Sequence, residues 1–145
     1  VPAAIAASLL YPDRTAINVA GDGDFLMTGQ ELATATAHGA GRGRGKLVSI
    51  VVDNGSYGTI RMHQERDYPA RVSGTELFNP DFVQLAQAYG WRGARVERTE
   101  QFESAFAQAL SADRPTLLHL KLDTDVITTR TTLSAIRDTA MKRKC

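Results

Sequence analysis

A single cysteine, Cys145, stands at the last of 145 positions, which excludes an intrachain disulfide and a cysteine-built zinc site. This scarcity fits a reducing compartment and predicts a cytoplasmic address. No apolar run approaches the roughly 18 residues that a membrane helix needs. A charge imbalance is missing as well. Seventeen Lys and Arg against sixteen Asp and Glu leave a formal charge of +1, which calls for neither nucleic acid nor an anionic membrane as partner. The three histidines, His38, His63 and His119, have no spacing that builds a metal site. Structural roles are expected for them, with His63 alone close enough to the turn at Asn54 to approach a substrate. The start, Val1-Pro2-Ala3-Ala4-Ile5, has neither an initiating Met nor a charged leader, so the expectation is a piece of a longer chain.

What is present is a 43% hydrophobic composition, enough for one domain over residues 1–145 with a real core. Pro2 suits the first turn of an Ala-rich helix carrying Ile5, Leu9 and Leu10, which Pro12 stops. Ala16 to Ala20 is short, apolar and closed by Gly21, the pattern of a buried strand. Thr28 stands three residues before Glu31, a capping box that predicts a helix from there to about His38. Leu47 to Val52 is β-branched and almost continuously apolar, as a strand buried on both faces of a parallel sheet is. Asn79-Pro80 opens a helix with Phe82, Leu85, Ala86 and Tyr89 on one stripe and Gly90 at its left-handed end. A second stripe, Phe102, Ala105, Phe106 and Ala109, follows Thr99. Short strands are expected around Ala94 to Glu97 and from Thr116 to Leu122, where Leu118, Leu120 and Leu122 alternate with His119 and Lys121. Strands alternating with helices predict an α/β doubly wound domain, a parallel sheet covered on both faces.

Two segments read as surface. The Thr-rich, basic tail from Thr128 onward ends in Met141-Lys142-Arg143-Lys144, a solvated run. Gly39 to Lys46 is glycine-rich and basic but follows a helix, has Ala40 where a nucleotide-binding loop needs its first Gly, and has Leu47 where that loop needs Ser or Thr. A flexible loop is the expectation.

Ligands of open parallel sheets bind beyond the carboxyl ends of the strands, so the residues after Ala20 and Val52 carry the chemistry. The first stretch is Gly21-Asp22-Gly23-Asp24-Phe25, in which two glycines permit positive φ and leave Asp22 projecting. The second is Asp53-Asn54-Gly55-Ser56-Tyr57-Gly58. A carboxylate, an Asn amide oxygen and a backbone carbonyl suit an octahedral Mg²⁺, which takes phosphate and water for its other positions. The amide groups at the start of the Thr28 helix would favour an anion in the same region.

Gly21-Asp22-Gly23 followed some thirty residues later by Asn54 resembles the thiamine diphosphate signature of the acetolactate synthase and 2-oxo acid decarboxylase group. Pro2-Ala3-Ala4-Ile5, the run from Phe25 to Ala35, and Asn79-Pro80-Asp81-Phe82 with Leu85-Ala86 and Tyr89-Gly90 resemble that family's C-terminal diphosphate-binding domain, a Rossmann-like three-layer fold. The resemblance implies thiamine diphosphate and Mg²⁺ as cofactors. Asp22, the Asn54 side chain and the Ser56 carbonyl would be the metal ligands, and Gly21, Gly23, Asp24, Tyr57 and Gly58 would lie along the diphosphate. Two departures stand out: the Gly39 to Lys46 segment is longer than the family's usual link, and Asp24 often appears as Ser, its carboxylate being repulsive to a diphosphate unless turned away.

The same resemblance implies a lyase or transferase that decarboxylates or carboligates 2-oxo acids, working as an oligomer (a homodimer or homotetramer) with further N-terminal domains. The continuation Ser56-Tyr57-Gly58-Thr59-Ile60-Arg61 looks acetolactate synthase-like. The cofactor-activating glutamate is not in this sequence, nor is the bulky residue that bends the cofactor, so no catalytic residue is expected here and the chain alone should not turn over substrate. The alternative is a non-catalytic module of the same fold with a regulatory or degenerate metal or anion site.

Overall fold

The computed structural model describes residues 1–144, so Cys145 lies outside the described residues. The chain divides into two compact units, one formed by Val1–Asp53 with Asn79–Lys121, the other by Asn54–Phe78 with the segment from Leu122 onward.

The first unit holds a four-stranded sheet of β1 (Ala16–Gly21), β2 (Leu47–Asp53), β3 (Arg92–Val96) and β4 (Thr116–Lys121), in the order β1-β2-β4-β3. Every pair is parallel, with Gly21 beside Val52, Asp53 beside Lys121, and Val96 beside Leu120. The expected α/β architecture is therefore present. Helices α1 (Pro2–Leu10), α2 (Asp22–Thr28), α3 (Leu32–His38) and α5 (Phe82–Ala88) bring Ile5, Phe25, Leu32, Ala35, Phe82 and Ala86 into one core with Leu47, Val51, Trp91 and Leu117. On a second core, α6 (Phe102–Ser111) packs Ala109, Phe102, Ala105 and Phe106 against Val48, Ile50 and Leu118. Burying such residues at about 25 cal/mol per Å² of apolar area is what holds helices to a sheet.

Several local expectations change. The capping box at Thr28 does not form: the helix starts at Asp22 directly after β1, Thr28 ends it, and a 3-10 turn over Gly29–Glu31 leads into α3. Glu31 instead accepts from the Thr34 hydroxyl at 2.7 Å. Strand β1 is not buried on both faces, because it lies at the sheet edge and leaves Ile17 and Val19 exposed at 48% and 66%. Leu9 and Leu10 of α1 are exposed as well, while Ile5 packs.

The segment Gly39 to Lys46 is anchored rather than loose. Gly41 donates to the Ser8 hydroxyl and Gly45 to the Pro12 carbonyl, and Arg44 pairs with Asp13. A Cβ on Gly43 would collide with the Pro12 carbonyl, and one on Gly45 with that of Arg14. Those glycines are there for close backbone approach to the α1–β1 turn, not for flexibility.

The second unit contains α4 (Gly58–Asp67) and α7 (Leu133–Lys144), which pack on each other. The tail expected as surface is thus largely a helix with Leu133 and Ala140 buried. Its fixed point is Glu65, fully buried, which takes Arg61 at 3.2 Å, the Arg137 guanidinium at 2.9 Å and the Ala70 amide at 3.0 Å.

Candidate cofactor-binding residues

In the first unit, the polypeptide leaves β1 at Gly21 (φ −64°, ψ 160°) and turns into the helical conformation at Asp22. Gly21 and Gly23 are not among the glycines with positive φ, so the expected left-handed step is absent. An extended residue followed by a helical one makes the corner unaided. A Cβ on Gly21 would lie 3.3 Å from Asp24 Oδ2. Asp24 is itself exposed in the first turn of α2.

Asp22 is buried at 3% exposure. Its Oδ1 accepts from the Gly23 amide at 3.0 Å and its Oδ2 from Asn79 Nδ2 at 2.7 Å. The same Asn79 nitrogen donates to Asp53 Oδ1 at 2.8 Å, so one carboxamide links two buried carboxylates. The other Asp53 oxygen meets His119 Nε2 at 2.7 Å and Lys121 Nζ at 2.9 Å. Burial alone would raise the Asp53 pKa, but Lys121, His119 and Asn79 outweigh it and lower it from 3.8 to about 2. Asp53 is therefore ionised at neutral pH. His119 is 3% exposed and lies edge-on to Phe82 at 5.1 Å, and its Nδ1 has no hydrogen-bond partner. Because Asp53 can only accept, Nε2 must carry a proton.

In the second unit, Asn54 Oδ1 accepts from the Ser56 amide at 3.1 Å, an Asx turn whose middle residue, Gly55, takes φ 69° as glycine does readily. The Ser56 carbonyl accepts from the Gly58 amide at 2.9 Å. The Tyr57 amide reaches the Thr75 carbonyl at 2.9 Å, and Ser56 bridges antiparallel to Glu76. A Cβ on Gly58 would meet the Asn54 amide nitrogen and the Ile127 Cδ1 at 2.7 Å, so a side chain there would displace the Asn54 carboxamide or Ile127. Asn54, Ser56, Tyr57 and Gly58 thus share one braced turn at the start of α4. Ser56 is 5% exposed and its hydroxyl lacks a partner, whereas Tyr57 is 37% exposed. His63 sits exposed on α4.

These residues fit a magnesium diphosphate in chemical type. Among the described residues no three His, Cys, Asp or Glu side chains gather as metal ligands. A hard cation would draw on one carboxylate with amide and backbone oxygens, the set that Asp22, Asn54 and Ser56 offer.

Residues 1–120 match the family described as "Thiamine pyrophosphate enzyme, C-terminal TPP binding domain". The chain belongs to this family. It is 37% identical over 124 residues to the acetolactate synthase isozyme 2 large subunit of Escherichia coli, covering 85% of this chain and 22% of that protein. Against the mitochondrial acetolactate synthase catalytic subunit of Saccharomyces cerevisiae it is 32% identical over 126 residues, covering 87% of this chain and 18% of the relative. Among solved structures, the thiamine diphosphate-dependent 4-hydroxybenzoylformate decarboxylase of Rhodococcus jostii superposes with a TM-score of 0.76 at 35% identity, over 86% of this chain and 23% of that one. The chain spans about a fifth of the length of the relatives it matches.

Within this thiamine pyrophosphate-binding domain, sequence reasoning missed Asp53, Asn79, His119 and Lys121 as members of the polar cluster around Asp22. A signal existed. Asp53 closes an otherwise apolar buried strand, and a carboxylate there needs a donor from the neighbouring strand, which the His119 and Lys121 alternation supplies.

Proposed function

We propose that this chain is the Mg²⁺- and diphosphate-binding part of a thiamine diphosphate-dependent enzyme acting on 2-oxo acids. Asp22, the Asn54 side chain and the Ser56 carbonyl are the metal ligands; Gly21, Gly23, Asp24, Tyr57 and Gly58 line the diphosphate. The observation that carries the reading is Asp22, a carboxylate buried at the carboxyl end of a parallel strand and held by the Gly23 amide and Asn79, in a chain of this family. Its donors hold the carboxylate in one place, and Mg²⁺ takes hard oxygens of this kind. Thiamine diphosphate, when bound, supplies the nucleophilic carbon and the electron sink for decarboxylation or carboligation. This chain's own work is to bind and orient the diphosphate end.

Relatives named as acetolactate synthases and as a benzoylformate-type decarboxylase favour transferase or lyase chemistry on a 2-oxo acid. Because those relatives are about four to five times longer, we infer that the chain works with further domains. A cytoplasmic address fits the near absence of cysteine, and no described helix is long and apolar enough to cross a membrane.

Titration calorimetry of the full-length protein with Mg²⁺ and thiamine diphosphate tests the assignment. Binding of each should require the other, and both Asp22→Ala and Asn54→Ala should abolish that dependence. Metal and cofactor binding independently of each other would replace this reading by a non-catalytic module of the same fold. The isolated 145-residue chain should release no carbon dioxide from a 2-oxo acid.

A further inference from the structure

We propose that Asn79 is a positioning residue that fixes the orientation of the Asp22 carboxylate for the metal, and that Asp53, His119 and Lys121 exist to hold Asn79 in that role. The proposal rests on the assignment of Asp22 as a Mg²⁺ ligand.

The geometry of the carboxamide carries it. Nδ2 of Asn79 lies 2.7 Å from Asp22 Oδ2 and 2.8 Å from Asp53 Oδ1, so its two hydrogens are divided between two carboxylates. The opposite amide orientation would set an oxygen against both acids and is excluded by repulsion. Asn79 keeps the productive orientation even though its own buried Oδ1 has no partner. The anchor on the far side is firm. Asp53 is 1% exposed and its second oxygen is taken by His119 and Lys121. Asn79 itself is delivered by the start of α5, where Asp81 caps the helix by accepting from the Val83 and Gln84 amides, and Phe82 wedges against Phe25 and His119. A chain of fixed groups therefore runs from β4 through the end of β2 to the side chain of Asp22.

Asn79 is neutral, so removing it changes no charge near the metal. Its contribution is the hydrogen bond to Asp22 and the orientation that bond fixes. Without Asn79, Asp22 keeps the Gly23 amide on Oδ1 but its Oδ2 loses the donor that fixes its direction, so other orientations of the carboxylate become accessible. Metal affinity falls by the fraction of time the competent orientation is lost. Together with loss of a hydrogen bond to a charged group, this predicts about a tenfold rise in the Mg²⁺ concentration that half-saturates cofactor binding.

The test measures thiamine diphosphate binding to the full-length protein by calorimetry across a Mg²⁺ series, alongside thermal stability without metal. Asn79→Leu, similar in size but without a donor, should raise the half-saturating Mg²⁺ about tenfold, with binding recovered at high Mg²⁺. Trp91→Phe, which removes the indole bond to the Leu32 carbonyl at 3.2 Å and none of the hydrogen bonds that join Asp22, Asn79, Asp53, His119 and Lys121, should lower stability without moving the Mg²⁺ requirement. A shift below twofold in Asn79→Leu, with Asp22→Ala still abolishing metal dependence, overturns this proposal and spares the ligand assignment. An equal shift in Trp91→Phe also overturns it, since the requirement would then follow stability alone. Metal dependence that survives Asp22→Ala removes the ligand assignment and this proposal with it. Should Asn79→Leu not fold, Lys121→Met loosens Asp53 more gently and should shift the requirement severalfold; no shift overturns the proposal.

Discussion

Arg137→Ala should be among the most damaging single substitutions in the second unit, although Arg137 looks like an ordinary residue of a basic helix. Glu65 is fully buried, and Arg137 grips it in a fork, with Nη2 2.9 Å from Oε1 and Nε 2.9 Å from Oε2. Removing one partner of a buried ion pair costs about 3–5 kcal/mol, because the other charge stays in low dielectric. Arg61 remains at 3.2 Å and the Arg137 side chain is 35% exposed, so the lower end, about 3 kcal/mol, applies.

The same contact sets a pH dependence. Burial raises the Glu65 pKa, but Arg137, the Ala70 amide and Arg61 together take it below its ordinary 4.5. A carboxylate with a lowered folded-state pKa binds fewer protons folded than unfolded. Its stabilisation is complete above pH 4.5 and disappears as the pH falls through the folded value. Urea unfolding at pH 7, followed by helical circular dichroism and repeated toward pH 3, should show the deficit at neutral pH and a flatter acid limb in the variant. A neutral-pH loss under about 1 kcal/mol, the range of an exposed pair, or an acid limb identical to that of the parent chain, would refute the claim that a buried ion pair docks α7.

Gly45→Ala should cost about 1–3 kcal/mol by driving a methyl group into the Arg14 carbonyl, measurable as a lowered urea midpoint. A neutral outcome would mean that the loop relaxes freely. Asp81→Ala should cost about 1–2 kcal/mol in the same assay, since Asp81 accepts from the Val83 and Gln84 amides at 2.9 and 3.1 Å. His119→Phe should destabilise more than Lys121→Met: at least about 2 kcal/mol for deleting a buried donor to Asp53, against about 1 kcal/mol for a partner 45% exposed. The reverse order would show that charge, not burial, controls the Asp53 cluster.

Strands β1 and β2 were legible because they are apolar runs closed by Gly21 and Asp53, β4 from its Leu residues after Pro115, and α5 and α6 because Phe82 to Tyr89 and Phe102 to Ala109 keep a helical stripe. Helices α4 and α7 were not legible. Their only buried residues among those described are Glu65 in α4 and Leu133 and Ala140 in α7, too few to draw a stripe, and the ion pairs to Glu65 that brace their packing leave no hydrophobic period. The Thr28 capping box misled for a related reason. Thr28 and Glu31 have the right spacing, but a helix starting at Asp22 already occupies the preceding turn, and local propensity yields to the strand-to-helix corner set by Gly21. The Gly39 to Lys46 segment shows how glycine content alone cannot separate flexibility from close packing, since both need a missing Cβ.

Alternation also fails as a guide inside a parallel sheet. His119 stands in the row opposite Leu118 and Leu120, which on a half-exposed strand would face water. On β4, with β2 on one side and β3 on the other, Leu118 is fully buried and His119 is 3% exposed. A polar residue there must find a partner inside the protein. The parallel register puts Asp53 beside Lys121, and His119, two positions earlier in β4, shares the same face of the sheet. The pairing at the carboxyl end of β2 therefore follows from strand order and burial together, and Asn79 extends it to β1. Pattern reading from sequence reports one strand at a time, whereas this cluster depends on which strands are neighbours. Asp22 was visible from its own turn; the three side chains that brace Asn79 became visible only once β1, β2 and β4 stood side by side.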